Sequence, residues 1–141
     1  MTARLLTILS AAAFAVSGAA AMAEGDAGAG EKGFKKCKSC HMIVSDSGES
    51  IVKGGKTGPN LYGIAGRTAG TYEGFKYGDS IVAAGENGLV WDEETFVAYS
   101  QDPKAFLKDY LGETSAKSKM SFRLKNGGED VYAYIVSVSG E

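Results

Sequence analysis

Apolar residues in this chain recur at helical spacing in several separate stretches, and no stretch carries a convincing strand period. The clearest comes last. Val131, Tyr134, Ile135 and Val138 fall at offsets of zero, three, four and seven, one apolar stripe on a helix from about Glu129 to Val138. Upstream, Asp102-Pro103 reads as an N-cap followed by a first-turn proline, opening a helix that bears Phe106, Leu107, Tyr110 and Leu111 and ends at Gly112. Before it, Asp92-Glu93-Glu94-Thr95 supplies a cap and an acidic first turn for a helix carrying Phe96, Val97 and Tyr99. A short helix is expected over 79–84. Near the start, Asp26 caps a helix with Gly30, Phe34, Cys37 and His41 on one face, expected to end near Ile43.

Between Ser45 and Thr71 the pattern breaks into glycines, including Gly54-Gly55, Gly58-Pro59-Asn60, Gly63, Gly66 and Gly70. Leu61, Tyr62, Ile64 and Ala65 lie in this stretch and would be exposed in a free linker. A disordered linker is the alternative, but the apolar content argues for an ordered loop wrapped around a ligand. The expectation is an all-α single domain of about four to five helices and loops, with no internal repeat.

The first residues read differently. Arg4, the apolar run from Leu5 to Ala21 and the small-residue pattern Ala21-Met22-Ala23 describe an export signal cleaved after Ala23. A transmembrane anchor is the alternative, but Thr7, Ser10, Ser17 and Gly18 interrupt the run. Taking 23 residues from 141 leaves 118 (24–141), one domain with a modest core, delivered to the periplasm as a soluble protein. With Arg4 gone, 14 basic residues face 17 acidic ones, a net of −3 that argues against nucleic acid as a partner. Distribution matters more than the sum. Lys35, Lys36 and Lys38 crowd the first helix, and Lys117 and Lys119 lie in a loop of the second half.

Cys37-Lys38-Ser39-Cys40-His41 carries the chemistry. Two cysteines three apart and an adjacent histidine form the attachment pattern of a covalently bound c-type haem: each thiol adds to one porphyrin vinyl group, and the histidine offers a nitrogen to the iron. A disulfide, a thioredoxin-like pair and a partial zinc site are the alternatives. Zinc would have to borrow carboxylates to reach four ligands, and the polar Gly33-Phe34-Lys35-Lys36 is not the buried strand that precedes a thioredoxin-like pair. Export strengthens the haem reading, because free thiols in an oxidising compartment would otherwise pair.

A second axial ligand follows by elimination. His41 is the one histidine, and after export the methionines are Met42 and Met120. On a helix Met42 would point about 100° away from His41, which leaves Met120. The alternative for Met120 is adaptable core filling. Histidine with methionine raises the reduction potential and closes both axial positions, which favours electron transfer.

With these residues in place, the sequence resembles a class I c-type cytochrome, specifically the bacterial cytochrome c2 group and its respiratory relatives. The resemblance runs from Gly30 to Val138. It rests on the Cys37 to His41 motif, the run Lys56-Thr57-Gly58-Pro59-Asn60-Leu61-Tyr62-Gly63, Gly66-Arg67, Trp91 and Lys119-Met120-Ser121-Phe122. It implies that the Pro59 carbonyl orients His41, that Arg67, Tyr77 and Trp91 hold a haem propionate, and that Tyr99 and Ser118 hydrogen-bond on the methionine side. It further implies that Gly30, Phe34 and Tyr134 meet where the first and last helices cross. Loops at 45–55 and 111–117 are longer than in the mitochondrial form, which bears most on Ser118, and Ile81 stands where that form has a polar residue. The resemblance also implies one haem c and a monomeric shuttle. Its donor would be a cytochrome bc1 complex and its acceptor a photosynthetic reaction centre or terminal oxidase, met through lysines at the haem edge. A haem-based ligand sensor or weak peroxidase with a labile methionine is the other functional class.

Overall fold

The structure is a computed structural model, and it describes residues 24–140. The export signal expected from the sequence therefore lies outside the described residues. Five helices and one small hairpin follow in chain order: α1 (Ala27–Phe34), β1 (Ile43–Val44), β2 (Ser50–Val52), α2 (Asp79–Glu86), α3 (Glu93–Gln101), α4 (Pro103–Leu111) and α5 (Gly128–Ser139). Among the described residues, no helix is long and apolar enough to cross a membrane.

The crossing of α1 with α5 frames the molecule. Asp26 caps α1 by accepting from the Ala29 N–H at 2.8 Å, and its own N–H donates to Asp130 Oδ1 at 2.8 Å, so one residue ties both helices. Gly30 makes the approach possible. A Cβ there would sit 1.8 Å from the Asp130 carbonyl oxygen and 2.8 Å from Tyr134 Cβ. Beside it, the Phe34 and Tyr134 rings lie 5.9 Å apart and tilted, as the resemblance implied. Phe34, Val131 and Ile135 are fully buried, each contributing on the order of 2 kcal/mol by removing apolar surface from water. Along α5 the buried stripe is wider than the sequence pattern suggested, because Tyr132 and Ala133 are buried too. The Tyr132 ring packs on Phe96 of α3, 5.4 Å between centroids.

Two expectations need correction. α1 stops at Phe34, not near Ile43. From Lys35 three-residue hydrogen bonds, such as Lys36 N to Gly33 O at 3.1 Å and Cys37 N to Phe34 O at 2.8 Å, alternate with four-residue ones, Lys38 N to Phe34 O at 3.1 Å and His41 N to Cys37 O at 2.9 Å, so residues 35–40 form successive turns and no continuous helix. The cysteine-histidine motif is thus carried on turns and not on a helix face. Strands do exist as well. β1 and β2 pair antiparallel, with Ile43 opposite Val52, around a turn in which Ser45 N donates to Glu49 O at 2.9 Å. Their β-branched residues gave a signal, but two or three residues are too few for a period of two to be read.

The remaining starts and stops follow local chemistry. α2 runs to Glu86, two residues beyond expectation. Asp92 Oδ1 accepts from Thr95 N at 2.8 Å while Thr95 Oγ1 accepts from Asp92 N at 2.9 Å, a closed capping box on α3. Asp102 caps α4 with Pro103 in its first turn, and Gly112 ends that helix in the left-handed conformation, φ 66°. The Thr95 N–H holds the Asp92 carboxyl below its ordinary range. Stability from this lowered group is present above the ordinary carboxylate pKa near 4 and is lost as pH falls through the folded value. Asp92→Ala should therefore cost about 1 kcal/mol at pH 7, and less below pH 3, in denaturant titrations of the haem-loaded protein.

Candidate functional site: a haem cradle

A single largely apolar cavity gathers the ten residues singled out from sequence: Cys37, Cys40, His41, Pro59, Arg67, Tyr77, Trp91, Tyr99, Ser118 and Met120. They come from five stretches of chain, and each stretch is held in place by its own contacts.

The motif is seated by glycines. A Cβ on Gly58 would stand 2.3 Å from His41 Cε1, so the imidazole edge lies directly against that backbone. His41 Nδ1 sits 2.9 Å from the Pro59 carbonyl oxygen. Because a carbonyl only accepts, Nδ1 carries the proton and Nε2 keeps its lone pair. Burial lowers the His41 pKa, partly opposed by the Pro59 hydrogen bond, so the neutral ring is the stable form. Neutral imidazole with a fixed tautomer is what a transition-metal ligand requires.

Both thiols are free. They differ in character: burial pushes Cys37 up to about 11, whereas hydrogen bonds from Thr57 and Ser39 lower the pKa of the exposed Cys40.

Arg67 and Trp91 are placed as a pair by backbone. Trp91 N donates to Arg67 O at 2.9 Å and Gly66 N donates to Trp91 O at 2.8 Å, next to a bridge between Thr68 and Val90. The Arg67 guanidinium donates to the carbonyls of Asn60 (3.0 Å) and Tyr62 and lies over the Tyr72 ring, 4.9 Å from its centroid. Tyr77 accepts from Tyr72 N at 3.3 Å, and burial raises its pKa, keeping the phenol a donor. On the methionine side, the Ser118 hydroxyl donates to Met120 O at 2.9 Å and accepts from Met120 N at 3.1 Å. Tyr99 Oη lies 3.4 Å from it. The longer preceding loop has therefore not displaced Ser118. That loop is tied across to α2, with Lys117 N donating to Ser80 Oγ at 3.0 Å and Lys119 Nζ to Lys76 O at 2.9 Å.

Met42 does not line the cavity, although the reason differs from the helical one expected: residues 41 and 42 lie beyond the turns, and Met42 O accepts from Leu61 N at 3.1 Å. Lys36, Lys117 and Lys119 line the cavity, whereas Lys35 and Lys38 are exposed outside its lining. Sequence reasoning assigned no role to Asn60. Its buried amide accepts from Val44 N (3.0 Å) and Tyr62 N (3.1 Å) and donates to Val44 O (2.7 Å) and Tyr72 Oη (3.1 Å). An asparagine beside a proline in a glycine-rich loop was the available sign. Phe75, Phe96, Leu107 and Leu124 also line the cavity and went unassigned; only their apolar character could have marked them.

The residues fit a haem. An apolar cavity large enough to be bordered by five chain stretches holds two free thiols, a neutral imidazole, a thioether and a small set of polar donors. Helices wrapped on such a cradle, with a cysteine-pair motif near the first helix and a methionine loop near the last, define a class I c-type cytochrome.

Comparison with known proteins gives the family. Cytochrome c-551 of Roseobacter denitrificans is 61% identical over 140 residues, covering 99% of this chain and 98% of that protein. Cytochrome c2 of Rhodobacter capsulatus is 60% identical over 114 residues, covering 81% and 83%. Its solved structure superposes with a TM-score of 0.79 over 81% of this chain and 98% of that one. Ferric cytochrome c-550 of Paracoccus versutus, 49% identical, gives 0.79 over 82% and 99%. No model in a scan of protein-family models matches. The chain belongs to the cytochrome c2 family of electron-carrying proteins and carries one covalently bound haem c.

Proposed function

We propose that this protein shuttles single electrons through a haem held by Cys37 and Cys40 and ligated by His41 and Met120. Bound there, the haem would supply a one-electron Fe(II)/Fe(III) couple. The hydrogen bond from His41 Nδ1 to Pro59, with Met120 bordering the same cavity, is the observation that supports this most directly. His41 would hold the iron through Nε2, and Met120 would hold it through its sulfur. Arg67, Tyr77 and Trp91 hold a propionate by donating toward it, a role suited to donors already fixed by backbone. Tyr99 and Ser118 keep the Met120 backbone in register. None of these groups turns over a substrate, and none of the relatives named above is called a sensor or peroxidase.

The carrier works in the periplasm after removal of residues 1–23, as a monomer. A cytochrome bc1 complex is the donor, and a photosynthetic reaction centre or terminal oxidase the acceptor. Lys36, Lys117 and Lys119 at the cavity, with Lys35 and Lys38 nearby, attract acidic partners and let them go quickly. Flash or stopped-flow oxidation by isolated reaction centres and by isolated oxidase tests this. Second-order rates should fall roughly tenfold between low salt and physiological salt, and the physiological acceptor should react faster. A rate indifferent to salt would overturn the lysine face.

A further inference from the structure

Away from the haem cradle, Glu93, Glu94 and Glu129 border a shallow hollow where the starts of α3 and α5 meet, and Glu24 lies in it. The chain enters this hollow in a fixed path. Gly25 is pressed onto α5 so closely that a Cβ would lie 2.1 Å from the Glu129 carbonyl oxygen. The next residue donates its N–H to Asp130 Oδ1 at 2.8 Å. One step earlier, the nitrogen of Glu24 faces both carboxylate oxygens of Glu93, at 2.9 and 3.2 Å. A peptide N–H has a single hydrogen to share between two acceptors. An ammonium has three and carries the complementary charge.

The cleavage proposed from the sequence would put an ammonium at that very atom. Ala21-Met22-Ala23 is the small-residue cleavage pattern, and cutting after Ala23 turns the Glu24 nitrogen into the α-amino group of the exported protein. We infer that this acidic hollow is the binding site for the chain's own processed N-terminus, with the Glu24 ammonium paired to Glu93. The inference rests on the proposed cleavage after Ala23.

The electrostatics favour it. Glu93 and Glu94 in the first turn of α3 already complement that helix end, while Glu129 and Asp130 do the same for α5. Glu24, Glu93, Glu94 and Glu129 put four carboxylates around one hollow, and among the described residues no lysine or arginine borders it. A cation supplied by the chain relieves their mutual repulsion. An uncleaved chain supplies only a neutral amide there.

The test uses the exported, haem-loaded protein. Intact mass establishes the first residue, and NMR titration of the α-amino group reads the pairing in the parent and in Glu93→Gln. Glu93 faces the α-amino nitrogen, and Glu94, Glu129 and the side chain of Glu24 border the same hollow, so Glu94→Gln serves as the comparison. With Glu24 first, the α-amino titration should move down by about half a unit or more in Glu93→Gln, and by less in Glu94→Gln. Adding one alanine before Glu24 should lower the thermal midpoint in the parent and leave it nearly unchanged in Glu93→Gln. A mass showing a different first residue overturns the cleavage reading and the inference with it. A first residue of Glu24 whose titration ignores Glu93→Gln overturns the pairing alone.

Discussion

The ferric Met120→Ala protein should lack the near-infrared band of methionine-iron ligation at neutral pH, show a lowered reduction potential, and bind added imidazole or cyanide far more tightly than the parent. Among the described residues, Met120 carries the one sulfur bordering the cavity besides the two thiols proposed for attachment, and the substitution takes it away. Ser118, Tyr99 and the ties to Ser80 and Lys76 remain, so the loop backbone has no reason to leave. The effect is therefore one of ligation and not of unfolding, and near-infrared spectra, redox titration and a chemical melt on one sample separate the two. A variant with its band and potential intact would remove Met120 from the iron. Met42→Ala is the control and should leave the band in place.

The second large effect concerns the frame. Gly30→Ala places a methyl group inside contact distance of backbone, 1.8 Å from the Asp130 carbonyl oxygen, so α1 and α5 must move apart. Phe34, Val131 and Ile135 would lose packing together, and a cost of about 3 kcal/mol or more is expected in denaturant titration of the haem-loaded protein. Gly28→Ala gives the contrast. In the same helix, its Cβ would meet only the Asp26 carboxylate oxygen, at 3.2 Å, and alanine's better helix propensity works in its favour. Equal costs at the two positions would contradict the crossing as the source.

These two glycines also show what could be read in advance. A glycine inside a helix costs stability unless a close crossing requires it, and at Gly30 the crossing that the resemblance implied is there. Helix starts were legible wherever a side chain made the cap, as at Asp26, Asp92 and Asp102, because capping is chemistry between neighbours in sequence. The candidate site was legible in outline because cysteines, histidine and methionine are few in this sequence. What escaped was set by tertiary contact. Asn60 organises its loop through Val44 and Tyr72, partners that only the fold brings near. The end of α1 at Phe34 depends on how the motif settles on Gly54, Gly55 and Gly58, and Leu107 and Leu124 gained their place in the cavity from packing alone.

The ties from Lys117 to Ser80 and from Lys119 to Lys76 have one more consequence. They join the methionine loop to the segment leading into α2, so the two behave as one unit of local unfolding whose opening breaks both contacts at once. A substitution near residue 78 that breaks these ties should therefore loosen the methionine loop without touching it.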